Sequence, residues 1–361
     1  MSPRRVTLTR LAVHAARAER AVELRAARAM WRRGWRVRIL GHVGYGVAGP
    51  QGWVRVLGRV HLAPTPPPAP ATDPPGDVRG WRQFVSINLA GVHVRITVGG
   101  VDHVVRSDVE GYLDATLPAE LPPGWHEVAL ECAHGPRVSA PVRIVGPDET
   151  QGIVSDIDDT VMITALPRPL LAFWNTFVRL ETSRVPVPGM ADLLQRLAGP
   201  AGPAGPAGPA GPQSLVVYVS TGAWNVAPSV RRFLDRHGYP PGPLLLTDWG
   251  PTEERWFRSG RAHKHATLRR LLRELPGLTW TLVGDDGQHD PALYDELATE
   301  APGRVRLVAI RTLSAAEQVL THGTPAALPG EAGHLAPRGG AAPVVRGRDG
   351  WELLERIPAR G

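Results

Sequence analysis

A single cysteine, Cys132, is the scarcest feature of this sequence. One cysteine excludes an intramolecular disulfide and any cysteine-rich metal site, which favours a reducing compartment. The sequence also lacks any run of roughly 18 consecutive apolar residues, the length needed to cross a bilayer. The amino terminus has no apolar signal core. We therefore expect a cytoplasmic protein.

The chain carries more positive than negative charge. Its 361 residues include 41 Lys and Arg against 34 Asp and Glu, which gives a formal net charge of +7. This balance favours anionic partners, which include phosphate esters, anionic lipid and nucleic acid. The charge alone does not choose among them, since an Arg bias across the whole chain gives the same value. The 43% of hydrophobic residues allow two packed domains, or one domain with appendages.

Residues 1–35 are predicted to form a basic amphipathic helix. A helix of this kind can lie on an anionic membrane surface, with its apolar face buried and its arginines among the headgroups. The apolar residues are mostly alanine and their stripe is irregular, so a solvated helix leaning on the next domain is the alternative. The arginines lie at positions 5, 10, 17, 20, 25, 28, 32 and 33.

Residues 36–147 switch to a period of two. Apolar and polar residues alternate over 54–62, 92–98 and 128–132. Several such strands, separated by glycine and proline turns, predict a small antiparallel β-sandwich. Proline at the density of residues 64–75 cannot donate ladder hydrogen bonds, so that segment is predicted to be a loop. We find no catalytic constellation here and expect a role in packing or partner binding.

Residues 148–320 alternate apolar strands with helical stretches, which predicts a doubly wound parallel sheet of the α/β class. A Gly-Pro-Ala repeat at 199–212 is interpreted as a flexible surface insertion, because so few triplets cannot hold a collagen triple helix. Residues 321–361 are predicted to be a tail whose short final helix docks through Trp351 and Leu354. The predicted strands are 153–155, 215–219, 244–246, 279–283 and 305–310, and the predicted helices are 189–198, 228–237, 263–275 and 291–300.

The candidate site begins at Ile153–Thr160 (IVSDIDDT), an apolar run that ends in carboxylates. Ligands of parallel sheets bind beyond the carboxyl ends of the strands, which places Asp156 and Asp158 at the mouth of a site. Two close carboxylates repel each other unless a cation or proton lies between them. An acidic turn that caps a helix is the alternative interpretation.

The spacing Asp-x-Asp-x-Thr after a buried strand resembles the first motif of the haloacid dehalogenase superfamily, whose members are mostly Mg²⁺-dependent phosphotransferases. Three segments narrow the resemblance to one branch: Ser155–Thr160 (SDIDDT), Tyr218–Ser220 with Trp224 and Asn225, and Gly284–Pro291 (GDDGQHDP). Together they resemble the catalytic domain of the actin-patch-associated phosphatidate phosphatase family, over roughly residues 150 to 312. The resemblance implies a Rossmann-like fold of the haloacid dehalogenase type.

The resemblance also implies roles for individual residues in hydrolysis of a phosphate monoester. Asp156 would be the nucleophile that forms an aspartyl-phosphate, and Asp158 would be the general acid and base. Ser220 would bind a phosphoryl oxygen, and Thr160 would position the loop that holds the substrate. Trp224 and Asn225 could contact substrate, although packing is the simpler interpretation of Trp224.

A cation and a metal site complete the implied centre. Lys264, which is predicted to open a helix, suits the cation that screens the carboxylates, although a solvated helix start is the alternative. Mg²⁺ prefers oxygen ligands, which Asp156, the backbone carbonyl of Asp158 and Asp285 would supply. Asp290 fits the second acidic position of the motif, and Asp286 is an alternative ligand.

The predicted insertions around the site are too short for an independent globular cap, so we expect a site open to bulky substrates. Residues 247–262 place aromatic residues beside arginines such as Arg258, which would suit an anionic lipid headgroup or a phosphopeptide. The family resemblance implies phosphatidate, converted to diacylglycerol and phosphate, with peripheral contact with an anionic membrane. We expect no nucleic-acid partner, and the sequence specifies no oligomeric state. Phosphatases of soluble or protein phosphoesters and a non-catalytic scaffold are the alternatives.

Overall fold

The computed structural model describes residues 27–64, 86–163, 184–199, 214–247, 253–287, 290–314, 317 and 342–358. The chain divides into two units. The first comprises Met1–Gly41, Leu57–Ala115 and Ala129–Ser139, and the second comprises His42–Val56, Thr116–Val128 and Ala140–Gly361. The segment bounds 1–35, 36–147, 148–320 and 321–361 stay predictions.

The predicted amino-terminal helix is described only at its end. Residues 27–32 are helical, and the rest of the predicted helix lies outside the described residues. The Gly-Pro-Ala insertion and residues 65–85 also lie outside them. No helix in the described part of the chain is long and apolar enough to cross a membrane.

The predicted all-β part is confirmed, as an eight-stranded sheet. Its strand order is β3-β2-β1-β8-β7-β4-β5, and β6 also pairs with β2. Buried and exposed positions alternate along β4, as expected for a strand with one face in a core. The strands are β1 (Arg36–Val47), β2 (Trp53–Ala63), β3 (Ile87–Asn88), β4 (His93–Val98), β5 (Val101–Arg106), β6 (Tyr112–Pro118), β7 (Gly124–Cys132) and β8 (Val138–Val145).

The sheet corrects the expectation of a purely antiparallel sandwich. β1 and β8 run parallel, with Gly44 opposite Val142 and Val47 opposite Val145. Gly44 is required at this pair, because a Cβ there would lie 2.2 Å from the carbonyl oxygen of Arg55. The alternation of a sequence reports which face of a strand is buried, but it does not report the direction of the neighbouring strand.

The predicted α/β part is also confirmed, as a six-stranded sheet in which every pair of neighbours is parallel. The strand order is β13-β12-β9-β14-β15-β16. Its strands are β9 (Gln151–Asp156), β12 (Leu215–Ala223), β13 (Leu244–Thr247), β14 (Thr279–Asp285), β15 (Val305–Arg311) and β16 (Val344–Gly347), and a separate two-stranded ladder joins β10 (Met162–Ile163) to β11 (Val185–Pro186). All five predicted strands of the sheet are present, whereas β16 was not predicted.

Among the described residues, five helices accompany this sheet: α1 (Met190–Ala198), α2 (Ala227–Arg236), α3 (Glu253–Glu274), α4 (Asp290–Glu300) and α5 (Gly350–Arg356). The helix predicted over 263–275 begins earlier, at Glu253, so that Lys264 lies inside α3 instead of opening it. Residues 253–262, which were predicted to belong to an insertion, are therefore part of this helix. Buried side chains of α1, such as Leu193 and Leu194, and of α3, such as Leu268 and Leu271, add to the core of this unit.

The predicted final helix is α5, and it packs against α1. Leu353 is buried, whereas Leu354 is only partly buried. Trp351 is 55% exposed, yet its Nε1 donates to Oδ2 of Asp192 at 3.0 Å. Gly189, whose φ is 65°, lies against the same indole, and a Cβ there would lie 2.5 Å from the ring. The approach of α5 therefore depends on a residue without a side chain at position 189.

We expect Gly189→Ala to lower the free energy of unfolding more than Gly303→Ala does. Both glycines have positive φ (65° and 75°), but a Cβ at Gly303 meets nothing within 4 Å. The left-handed backbone costs alanine about 1–2 kcal/mol at either position, and the collision with Trp351 adds about 1–3 kcal/mol at position 189. Urea denaturation of the two variants measures the difference, and equal losses would contradict this packing.

Candidate active site

The predicted acidic residues meet at the carboxyl edge of three neighbouring strands. β9 lies between β12 and β14 and ends at Asp156, which is paired in register with Val219 of β12. Ser220 follows Val219 directly, and Asp285 ends β14 on the other side of β9. Since these strands are parallel, their carboxyl ends share one edge of the sheet, where ligands of such sheets bind.

Three buried carboxylates form the centre of this edge. Oxygen atoms of Asp156, Asp285 and Asp290 all lie within 4.8 Å of one another. Asp290 is the first residue of α4, and Gly284 gives it room, because a Cβ at position 284 would lie 2.5 Å from Oδ2 of Asp290. Three carboxylates brought this close are stable only with positive charge or protons among them.

Lys264 provides that positive charge. Its Nζ donates to Oδ1 of Asp156 at 2.7 Å and to Oδ1 of Asp290 at 2.5 Å, and the residue is 5% exposed. It is also the only lysine in the chain, in which every other side chain counted as Lys or Arg is an arginine. The presence of one lysine among so many arginines marks position 264 in the sequence independently of the motifs. A compact ammonium suits the space between two carboxylates better than a planar guanidinium does.

Burial and charge shift the pKa values of this group in opposite directions. Burial, together with the carboxylates of Asp290 and Asp158, raises the pKa of Asp156 to about 8 against the lowering effect of Lys264. Burial and the carboxylates of Asp290 and Asp156 also raise the pKa of Asp285. Burial disfavours the ammonium of Lys264, but Asp156 and Asp290 raise its pKa well above the ordinary value. One ammonium therefore does not compensate three carboxylates.

Asp158 and Ser220 form a second pair at the same edge. The hydroxyl of Ser220 donates to Oδ2 of Asp158 at 2.7 Å and accepts from the backbone N–H of Gly222 at 2.9 Å. Burial raises the pKa of Asp158, which the hydrogen bond from Ser220 lowers in part. A carboxyl group with a raised pKa can hold a proton near neutral pH, as a general acid requires.

Thr160 and Asp285 connect the loop after β9 to β14. The hydroxyl of Thr160 lies 3.3 Å from Oδ2 of Asp285, whose Oδ1 accepts the backbone N–H of Gly287 at 2.8 Å. Asp286 points elsewhere, because its Oδ1 accepts the backbone N–H of Leu313 at 2.8 Å. Among the described residues, Asp286 is not part of the carboxylate cluster.

The predicted substrate contacts are described only in part. Trp224 lies in a short 3₁₀ turn, is 9% exposed, and has its ring centroid 4.7 Å from that of His42, as expected for a packing residue. The side chains of Asn225 and Arg258 lie outside the described residues. Their predicted contacts with substrate stay predictions.

Sequence reasoning missed Arg311, which supports the loop that carries Asp158 and Asp159. Its Nη1 donates to the carbonyl oxygen of Asp159 at 2.7 Å, and its Nε donates to that of Arg348 at 3.1 Å. Asp159 has a φ of 56°, a conformation that is rare outside glycine and that requires support from its surroundings. Arg311 ends β15, so the rule that located the acidic residues at strand ends could have found it.

Two further residues were missed. The hydroxyl of Tyr294 donates to the carbonyl oxygen of Val283 at 3.1 Å and lies 3.5 Å from Oδ2 of Asp290. The four-residue spacing of Asp290 and Tyr294 on a helix is a signal that could have found this contact. Arg184 is buried just before β11, and its charge lowers the pKa of Asp158. Nothing in the local sequence connects Arg184 with Asp158, since the fold alone brings them together.

The carboxylate cluster fits a divalent cation. Three buried carboxylates offer oxygen atoms within 4.8 Å of one another, and hard divalent cations prefer oxygen ligands. A cation among them would also favour the ionised forms of Asp156 and Asp285, two carboxyl groups whose pKa values burial raises. Asp158 contributes no side-chain atom to this cluster in the described residues, because its carboxylate is turned toward Ser220.

Comparison with known proteins finds similarity over the same segment of the chain. Residues 151–312 match the family model described as "Phosphatidate phosphatase APP1, catalytic domain". Phosphatidate phosphatase APP1 of Saccharomyces cerevisiae is 26% identical over 167 residues, which cover 45% of this chain and 26% of that protein. An uncharacterized protein of Schizosaccharomyces pombe is 23% identical over 160 residues, which cover 44% of this chain and 24% of that protein. The chain thus spans about a quarter of the length of the curated relatives it matches.

Solved structures give only distant similarity. A carbohydrate acetylesterase from Xanthomonas citri has a TM-score of 0.26 and 10% identity, over 76% of this chain and 58% of that one. A β-glucuronidase of Bacteroides uniformis has a TM-score of 0.23 and 11% identity, over 77% of this chain and 33% of that one. Neither similarity is close enough to argue fold or function.

We expect Lys264→Met to destabilise the protein strongly in the presence of EDTA. The variant keeps the volume of the side chain but leaves the carboxylates of Asp156 and Asp290 buried without their cation, which costs about 3–5 kcal/mol. A divalent cation should then stabilise the variant more than it stabilises the native chain, since it replaces the missing charge. Denaturant unfolding with and without the cation measures both effects, and a stability equal to that of the native chain would contradict this account.

Proposed function

We propose that this chain is a Mg²⁺-dependent phosphatase that works through an aspartyl-phosphate, since residues 151–312 match the catalytic-domain model of phosphatidate phosphatase APP1. Its proposed substrate is phosphatidate, which yields diacylglycerol and inorganic phosphate. The observation that carries the proposal is the ammonium of Lys264 between Asp156 and Asp290, beside Asp285. We also propose a doubly wound, Rossmann-like sheet of the haloacid dehalogenase type and a cytoplasmic location.

Asp156 is proposed to be the nucleophile. Lys264 holds Oδ1 of this carboxylate, and no hydrogen bond from a described residue reaches Oδ2. Oδ2 attacks the phosphorus atom, and the bond from phosphorus to the ester oxygen breaks. The positive charge of Lys264 favours the ionised carboxylate before attack and offsets negative charge on the phosphoryl group during it.

Asp158 is proposed to move the protons. Its raised pKa allows it to donate a proton to the departing ester oxygen. Water then attacks the phosphorus atom of the aspartyl-phosphate, and Asp158 accepts a proton from that water. The bond from phosphorus to Asp156 breaks, which releases inorganic phosphate and restores both carboxyl groups. Ser220 orients Asp158 through the 2.7 Å hydrogen bond and lies where its hydroxyl could also reach a phosphoryl oxygen.

Asp156, Asp285 and Asp290 are proposed to hold Mg²⁺, with the backbone carbonyl of Asp158 as a further ligand. When bound, this ion supplies positive charge that neutralises the phosphoryl oxygens. Asp290 accepts a hydrogen bond from the ammonium of Lys264 and is also a member of the carboxylate cluster. It would therefore contact both Lys264 and the bound ion. Thr160 positions Asp285 across the loop.

Asp156→Asn is expected to abolish hydrolysis of a soluble aryl phosphate, with a fall in kcat of more than about 1,000-fold, because an amide cannot form the intermediate. Acid quenching with a phosphate-labelled substrate should trap a phosphorylated native chain and no phosphorylated variant. EDTA should stop the native reaction and Mg²⁺ should restore it. Asp295→Asn, which changes an exposed carboxylate of α4, is the matched control and should keep native activity.

Hydrolysis that survives Asp156→Asn would eliminate this mechanism. A native chain without activity on any phosphoester would favour the non-catalytic scaffold. A phosphate-release screen across lipids, nucleotides and phosphopeptides then decides between phosphatidate and a soluble or protein phosphoester.

Arg311→Ala is expected to lower kcat about tenfold or more with little change in KM, because Arg311 sets the loop of Asp158 and touches no substrate. Arg304→Ala is the matched control. Arg304 lies directly before the other end of β15 and likewise donates to backbone carbonyls, those of Leu275 and Leu278. It should lower stability but not kcat, and Arg311→Lys should recover part of kcat. Equal losses of kcat in both alanine variants would contradict a positioning role.

A further inference from the structure

The first unit exposes a basic segment around one tryptophan, residues 27–36, which we name the Trp31 surface. It consists of the helical residues 27–32, a turn and the start of β1. Trp31 is 39% exposed. The segment contains no acidic residue. Its four arginines are all exposed: Arg28, Arg32, Arg33 and Arg36.

The arginines of the Trp31 surface differ from several other described arginines in their ion pairs with carboxylates. Arg143 pairs with Glu149 at 2.7 Å, and Arg269 pairs with Glu300. Within the described part of the chain, no carboxylate forms an ion pair with any arginine of the Trp31 surface. Four like charges in ten residues repel one another, and an anionic partner would relieve that repulsion.

Two contacts hold the ring of Trp31 while leaving part of it exposed. His134 meets it edge-on, with ring centroids 5.6 Å apart, and the guanidinium of Arg36 lies over it at 5.9 Å. An exposed indole beside arginines is suited to the headgroup region of a bilayer, where the apolar ring and the cations each find their preferred surroundings. Stacking of a nucleic-acid base is less favoured, because Arg36 covers the ring.

We propose that the Trp31 surface docks this chain on an anionic phospholipid bilayer. The role of this docking rests on the proposed function, because the substrate of a phosphatidate phosphatase is a membrane lipid. Phosphatidate carries a phosphate monoester, whose charge near pH 7 is about −1.5 to −2. A membrane rich in the substrate would therefore attract the Trp31 surface, and hydrolysis to diacylglycerol would remove that charge and weaken the attachment.

Vesicle sedimentation of the full chain tests the docking. We expect binding to vesicles of phosphatidylcholine with phosphatidylserine, weak binding to phosphatidylcholine alone, and weaker binding at high salt. The triple variant Arg28→Glu, Arg32→Glu, Arg33→Glu should reduce partition to the anionic vesicles about tenfold or more. Trp31→Ala should reduce it several-fold without changing the charge.

The matched control reverses the same number of charges elsewhere. Arg196, Arg236 and Arg273 are exposed and lie near the carboxyl ends of α1, α2 and α3, away from the Trp31 surface in sequence. Replacing all three with Glu changes the net charge equally and should leave most of the partition intact. Equal losses in both triple variants would mean that only overall charge matters, which would overturn the proposal.

Hydrolysis of a soluble aryl phosphate, measured on the same variants, separates the docking from the proposed function and reports on folding. Native hydrolysis with lost vesicle binding in the Trp31 variants supports the docking. Native vesicle binding by the first triple variant overturns the docking alone. Vesicle binding by a native chain without hydrolysis overturns the proposed function alone. Binding of DNA or of an acidic peptide, but not of vesicles, would assign the surface to a different partner and overturn the lipid proposal.

Discussion

The ammonium of Lys264 between the carboxylates of Asp156 and Asp290 is the interaction on which the rest of the site depends. All three side chains are buried, so water screens neither the attraction nor the repulsion among them. A buried charge is tolerated only with a partner, and a buried cluster with more negative than positive charge invites a further cation. The same imbalance that makes the site costly for stability therefore suits it to a further cation.

Close backbone approaches make this arrangement possible. Gly284 has no side chain at the point where Asp290 reaches toward β14, and Gly287 donates its N–H to Asp285. On the other side, Arg311 fixes the carbonyl oxygen of Asp159 in a conformation that the loop would not keep by itself. Contacts from the ends of β14 and β15 thus hold the acidic residues and the loop after β9 in place against this repulsion.

The support that Arg311 gives to the loop of Asp159 also involves a strand that follows residues 151–312, the residues matched by the family model. β16 extends the sheet by pairing with β15, and the carbonyl oxygen of Arg348, just after it, accepts from Arg311. α5 then packs on α1 next to Gly189. Residues 344–347 are consequently part of the sheet that shapes the site, although composition suggested a tail. A four-residue strand in a stretch rich in Gly, Pro and Ala has no periodicity of its own that reveals it.

The sequence by itself determined the α/β alternation, the five apolar strands and the positions of Asp156 and Asp285 at two strand ends, whereas β12 continues past Ser220 to Ala223. It could do so because burial on both faces leaves long apolar runs, and because polar residues at the ends of such runs are conspicuous. The sequence did not predict the start of α3, because the charged residues there show no clear apolar period. It also did not predict the parallel pairing of β1 with β8, because strand direction leaves no local pattern. Only the tertiary structure decided that Lys264 lies between two carboxylates, that Asp286 turns to Leu313 and that Arg311 supports Asp159. These contacts join residues far apart in the chain, and distance in space is set by packing, which no single stretch of sequence contains.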